Sequence, residues 1–250
     1  MFDRQRTALR AAGVGYLLSG FLLALGLGWA AAVLREDPYR RAQELDRFLE
    51  LRAGQMGAVV LVGVLVFGAA LAGLIFALAV AARARRLHPT SATLGGILLG
   101  AGLLAVMATS VWVGLVTPVA ALQYQASHDL PDSQAAETRR QTLLVAAQLG
   151  EHVVFLGHWC FLGLAAPGLY FLGRALRGER GWTPDILKLA AAVIVLHLPV
   201  TLYLARESLL EGRWVGWLAA LDQLLLWSTL AVACYFAARW LRRVGRALPP

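Results

Sequence analysis

The chain is short of charge, and shortest of it where it is most apolar. Charged residues fill 15% of its 250 positions, against roughly 25% in a soluble domain. Six long apolar stretches run through it, and only two acids, Glu151 and Asp222, fall inside them. Lysine occurs once, as Lys188. With no lysine deep in a seventh apolar segment, a retinal Schiff base is excluded. Cysteine occurs twice, and Cys160 and Cys234 lack any metal-type spacing. Both sit in apolar segments and read as small buried hydrophobes rather than as a disulfide. There is no Gly-x-x-x-x-Gly-Lys phosphate loop, no Gly-x-Ser-x-Gly elbow and no Cys-x-x-Cys. Serines and threonines occur without a nearby base, so the sequence leans against an enzyme.

What is present is hydrophobic: 59% of residues, enough to use up the chain in membrane spans. Crossing a bilayer takes roughly 20 apolar residues at about 1.5 Å each. Spans are expected at 11–34, 56–82, 94–122, 143–173, 186–205 and 214–238. The expectation is one all-α domain, a polytopic membrane protein of six transmembrane helices. The first apolar run is too long for a cleavable signal, and Leu34-Arg35-Glu36 is a poor cleavage site, so that run reads as an anchor.

Arg and Lys set the threading. The two chain ends with the second and fourth loops hold 14 cations against three acids, whereas the alternate loops hold nine against ten. The imbalance predicts both termini in the cytoplasm of a prokaryote, in its inner membrane. The formal charge of +8 is therefore a topology signal and does not point to nucleic acid. Membrane lipids are the implied partners, with Arg239-Trp240-Leu241-Arg242-Arg243 meeting anionic headgroups.

Local signals refine the picture. Asp37-Pro38 is a good helix start, and apolar positions 39, 42, 45 and 49 predict an amphipathic helix over 38–53 on the outer surface. Pro131-Asp132-Ser133 starts the fourth helix outside the membrane, and Pro167 is expected to kink it. Thr183-Pro184-Asp185 reads as the N-cap of the fifth helix. Trp29, Trp214 and Trp217 suit the outer aromatic belt and Trp240 the inner one. Small residues stand four apart at Gly15 and Ser19, at Ala69 and Gly73, and at Gly96 and Gly100. Such pairs serve helix packing within the subunit or, at Gly96 and Gly100, a homodimer.

Polar side chains gather in the second half. The fourth helix carries Gln148, Glu151, His152 and His158, the fifth His197 and Thr201, the sixth Asp222, Gln223, Ser228 and Thr229. At about 1.5 Å per residue, His158, His197 and Asp222 all stand roughly 20–25 Å above the basic side, with Glu151 higher. The candidate site residues are thus Glu151, His158, His197, Thr201 and Asp222. Four uses compete. The groups pin the helices by hydrogen bonding. They line an outward-facing pocket for a small ligand, ion or lipid, serving transport or sensing, where a carboxylate beside a histidine can exchange protons. His158 and His197 ligate a b-type haem. Or Glu151, His158, His197 and Asp222 hold a divalent metal. The Glu-x-x-His spacing of di-iron bundles and His-Glu-x-x-His are both absent. A structural subunit of a larger membrane complex is a further class, suited by the featureless first half.

The order of features resembles a bacterial family of six-helix membrane proteins of unknown function. It is carried by Arg10-Ala11-Ala12-Gly13 at the first span, the outer amphipathic stretch and the short basic second loop. Gly168-Leu169-Tyr170 ending the fourth helix and the inner turn Gly181-Trp182-Thr183-Pro184 complete it. Where the family has Pro-Arg followed by Leu-Gly, this chain has Pro184-Asp185-Ile186-Leu187. The resemblance spans nearly the whole chain and implies the fold but no activity, cofactor or partner.

Overall fold

A computed structural model of the chain describes residues 2–35, 54, 56–128, 134–207 and 213–247. The amphipathic helix expected at 38–53 and the helix start at Pro131-Asp132-Ser133 lie outside the described residues. Among the described residues every element is helical: α1 (Phe2–Arg35), α2 (Met56–Ala84), α3 (Pro89–Val111), a π turn (Trp112–Val116), α4 (Thr117–His128), α5 (Gln134–Ala175), α6 (Thr183–Glu207) and α7 (Arg213–Arg246). Six segments are long and apolar enough to cross a membrane: Gln5–Gly28, Met56–Ala84, Pro89–Ser127, Leu156–Ala175, Thr183–Val200 and Trp217–Arg246. The chain is an all-α polytopic membrane protein, as its hydropathy predicts. Hydrocarbon leaves backbone polar groups no outside partner, and a helix satisfies them within itself. Leu17, Leu61, Val64 and Leu196 are 58–76% exposed. In water such faces would be a liability; against acyl chains they are the expected surface.

The π turn is one departure from the sequence reading. Thr117 donates its backbone N–H to the Trp112 carbonyl, and the next residue, Pro118, has no N–H to give. A proline ring would crowd the carbonyl four residues earlier. Widening the preceding turn by one residue relieves that clash and keeps α3 and α4 in one helical run.

The chain divides into two compact units. The first comprises Met1–Glu36, Leu71–Leu104 and Phe161–Pro250; the second comprises Asp37–Ala70 and Ala105–Cys160. In the first unit α1 lies antiparallel along α7. A Cβ on Gly245 would stand 3.2 Å from the Ala8 methyl, one on Gly15 2.8 Å from Ala238, and one on Gly26 2.6 Å from the Trp227 Cβ. Ala11 and Ala12 on α1 and Ala231, Ala237 and Ala238 on α7 are buried as well. Both chain ends therefore lie at the same end of this unit. Tyr16 and Tyr235 close the seam edge to face at 5.4 Å. Gly96 and Gly100 face Ala81 and Leu74 of α2, so their small faces serve packing inside the chain. A Cβ on Gly168 would stand 2.9 Å from the Leu99 nitrogen of α3. The turn between α5 and α6 uses Gly178 and Gly181 at φ 99° and 119°, values that L side chains rarely adopt. Trp217 is exposed as a belt residue should be, whereas Trp240 is 1% exposed. The inner-belt expectation for Trp240 is thereby corrected. The side chain packs inside the first unit, and its Nε1 has no hydrogen-bond partner among the described residues.

In the second unit Gly63 of α2 meets Gly114 of the π turn. A Cβ on Gly63 would press on the Gly114 Cα and stand 2.9 Å from its nitrogen and 3.1 Å from the Ser110 carbonyl. Trp112 lies against Gly150, and Thr109 against Gly157. Ala121 and Tyr124 of α4 form a small core with Leu143 and Leu144 of α5. Arg140 donates from Nη2 to the Ser127 carbonyl at 3.0 Å, anchoring the end of α4.

At Gly63 the obstructing atoms are backbone and cannot swing aside. Gly63→Ala is expected to lower the thermal midpoint of the detergent-purified protein, at a cost of about 1–3 kcal/mol. Gly68, on the same helix, has nothing within 4 Å of its would-be Cβ. Gly68→Ala should leave the midpoint unchanged or raise it slightly. Equal effects at the two positions would contradict the Gly63–Gly114 contact.

A buried histidine–aspartate pair between the last two helices

Of the candidate residues, His197 and Asp222 are described in contact with each other. Glu151 and His158 lie on α5 in the second unit, where His158 is half-buried and the Glu151 side chain is outside what is described. His152 is exposed, in keeping with its position beside Glu151. His197 on α6 and Asp222 on α7 belong to the first unit, and these two come together. Thr201 follows His197 by one turn of α6, and its side chain is likewise outside the described part. Neither unit by itself holds both histidines of the haem reading. Among the described residues, no three of His, Cys, Asp and Glu gather as a metal would require.

His197 Nδ1 stands 2.7 Å from Asp222 Oδ2, with the two side chains 1% and 11% exposed. A separation that short is typical of a charge-assisted hydrogen bond, with the ring N–H donating to the carboxylate. The surroundings are apolar by sequence. Ile194, one turn before His197, is 0% exposed, and Leu226, one turn after Asp222, is 1% exposed. Ala219 and Ala220, on the other flank of Asp222, pack with Ala30 and Leu224. An isolated carboxylate in such a place would be costly, and the imidazole is the partner that makes it tenable.

A second polar link joins the same helices. Thr183 Oγ1 donates to the Phe236 carbonyl of α7 at 3.3 Å. Thr183 precedes His197 by 14 residues, as Asp222 precedes Phe236. Both links thus sit in one antiparallel register, roughly 21 Å apart along the hairpin. The N-cap expectation at Thr183 shifts accordingly. The first helical bond runs from the Ile186 N–H to the Trp182 carbonyl at 3.0 Å. Thr183 is already inside the helix, and its hydroxyl reaches across to α7 instead of capping.

The other polar groups of α7 are used locally. Gln223 Oε1 accepts from Trp227 Nε1 at 3.1 Å, and Thr229 Oγ1 donates to the Leu225 carbonyl at 2.7 Å. Neither hydrogen bond leaves α7. One feature of the site escaped the sequence reading although it was in view: Pro199, inside α6 and two residues past His197. Proline has no N–H, so the Val195 carbonyl lacks its usual donor four residues on. The His197-Leu198-Pro199 run was the available signal.

Removing one partner leaves the other buried and alone, whereas removing both leaves an apolar contact. His197→Leu and Asp222→Leu should each lower the thermal midpoint. Their combined variant should lose less than the separate losses added together, by about 1 kcal/mol, as intramembrane hydrogen bonds do. Strict additivity in the double-mutant cycle would mean that the pair does not couple the helices.

No family model, curated protein or solved structure matches this chain, and the geometry of the α6–α7 hairpin carries the functional reading by itself.

Proposed function

We propose that this integral membrane protein carries, at His197 and Asp222, an outward-facing polar site for a small ligand or ion, serving transport or sensing. The observation that carries the reading is the 2.7 Å His197–Asp222 contact inside two apolar helices. An ionisable residue at membrane depth is by default a functional candidate. Asp222 keeps the larger exposure of the two, 11% of its side chain. A cation or hydrogen-bonding solute would take the place of the imidazole on that carboxylate. Pro199 adds support. Membrane transporters bind substrates where helical backbone is interrupted, because a carbonyl freed from its ladder can accept from a ligand. In this reading the protein sits in a prokaryotic cytoplasmic membrane with both ends inside, as the Arg and Lys distribution favours. The site then opens to the exterior, since Asp222 lies toward the N-terminal end of α7, the end away from its basic tail. The outward leucines of α2 meet lipid or a second membrane subunit.

The test is access from outside. In a background with Cys160 and Cys234 replaced by alanine, Asp222→Cys should react in intact spheroplasts with a membrane-impermeant methanethiosulfonate reagent. Gln134→Cys, at the exposed start of α5, is the outer control. Labelling of Gln134→Cys without Asp222→Cys would overturn the outward-facing site. Failure of Gln134→Cys itself, with labelling only after permeabilisation, would overturn the orientation.

A further inference from the structure

The end of the first unit that holds both chain ends contains a cleft of about 260 Å³ whose lining includes Thr7 and Ala8 of α1, Ala79 and Arg83 of α2, Arg86 just beyond it, and Leu241 of α7. We propose that this cleft binds a phosphate-bearing anion at the membrane surface, with Arg83 and Arg86 as its cationic side chains. The inference is independent of the His197–Asp222 reading, since it uses other residues at the other end of the helices.

Three observations converge. The first is charge. A helix C-terminus carries a partial charge of about −0.5. Arg83, Arg85 and Arg86 stand at the end of α2 or just beyond it, and the cleft takes Arg83 and Arg86 into its lining. Exposed Arg6, Arg10, Arg239, Arg242 and Arg243 lie on the terminal turns of α1 and α7, the helices that complete the cleft. The second is shape. Ala8 is buried, and Ala79 is half-buried. Small side chains keep the walls apart, and 260 Å³ is below the usual 300–1,000 Å³ range of drug-sized pockets, a size that suits one headgroup. The third is level. The apolar window of α2 ends at Ala84, between the two arginines, so the guanidinium groups belong to the water–lipid boundary. Guanidinium matches phosphate with paired N–H donors, and the Thr7 hydroxyl can donate beside them. Basic pockets between spanning helices at this level are where anionic headgroups bind. A phospholipid and free inorganic phosphate share this chemistry.

The experiment uses the full chain purified in a neutral detergent. Its thermal midpoint is followed while dioctanoyl phosphatidylglycerol, dioctanoyl phosphatidylcholine or inorganic phosphate is added at constant ionic strength. Phosphatidylglycerol should raise the midpoint in a saturable way, as a ligand of the folded state does, and phosphatidylcholine should raise it much less. Arg86→Gln, at an exposed position, should weaken the apparent affinity roughly tenfold, the loss of one charge-assisted hydrogen bond. Arg83→Gln/Arg86→Gln should abolish the shift, and Arg177→Gln, exposed in the α5–α6 turn, should leave it intact. A shift with inorganic phosphate that is lost in the same variants would support the site and assign it to free phosphate. Equal shifts with phosphatidylcholine, or a shift that Arg86→Gln and Arg177→Gln reduce alike, would overturn it. Native mass spectrometry supplies a second reading if the double variant fails to fold. Wild-type protein should retain phosphatidylglycerol and Arg86→Gln should lose it; equal retention would overturn the site.

Discussion

Lipid is as apolar as leucine, so burying leucine against leucine gains little here, and helices associate only as closely as their backbones allow. That constraint organises both units. Along α1 and α7 the inner faces are alanine and glycine, and the seam they form brings the two chain ends to one end of the first unit. Some glycines also receive an aromatic side chain. Gly15 takes Phe76, Gly26 takes Trp227, and Gly150 takes Trp112. A ring set on a bare backbone gains dispersion contacts on a whole face without needing water's help. The Gly63–Gly114 contact in the second unit is the same solution with no side chain on either side.

Polar side chains are the other cost of an apolar solvent, and the chain meets it in two ways. Several hydroxyls among the described residues bond back to their own helix, as Thr109, Ser110, Ser127 and Thr229 do. Such bonds satisfy the donor without involving a neighbour. The hairpin of α6 and α7 is different. Thr183 and His197 each reach the facing helix, in one register. These links fix the relative height of α6 and α7, which apolar packing alone would specify weakly.

Hydropathy made the spans legible, because crossing a membrane needs only length and apolarity, and both are written residue by residue. The small residues could be recognised too, but not their partners. For Gly96 and Gly100 packing within the chain was the first expectation and another copy the second, and the structure sets them against Ala81 and Leu74 of α2. Depth put His158, His197 and Asp222 at one level. A level fixes height and says nothing of which way a side chain faces around its helix. Partnership needs the rotation of two helices at once, and that was set by alanines such as Ala219 and Ala220, which carry no polar signal of their own. Trp240 misled for a related reason. Tryptophan beside arginine reads as an interface anchor, yet the same position on α7 turns inward with Leu241. The π turn was written in Pro118, whose effect falls on the turn before it.

The hairpin combines two features that stability alone does not favour. A buried ion pair between helices gives no more stability than well-packed apolar residues of similar volume and often less. A proline inside a helix removes one hydrogen bond and crowds another carbonyl. Both fall within one turn of α6, at His197 and Pro199, while the twelve residues from Asp185 to Leu196 contain no proline. The hairpin is thus joined at both levels, and the backbone of α6 lacks a hydrogen bond at the level of the pair. A ligand competing there has to displace the His197–Asp222 hydrogen bond, and it meets a helix already lacking one of its own. A local change of helix geometry costs less there than in the uninterrupted part of α6, and the place coincides with the one carboxylate of α7.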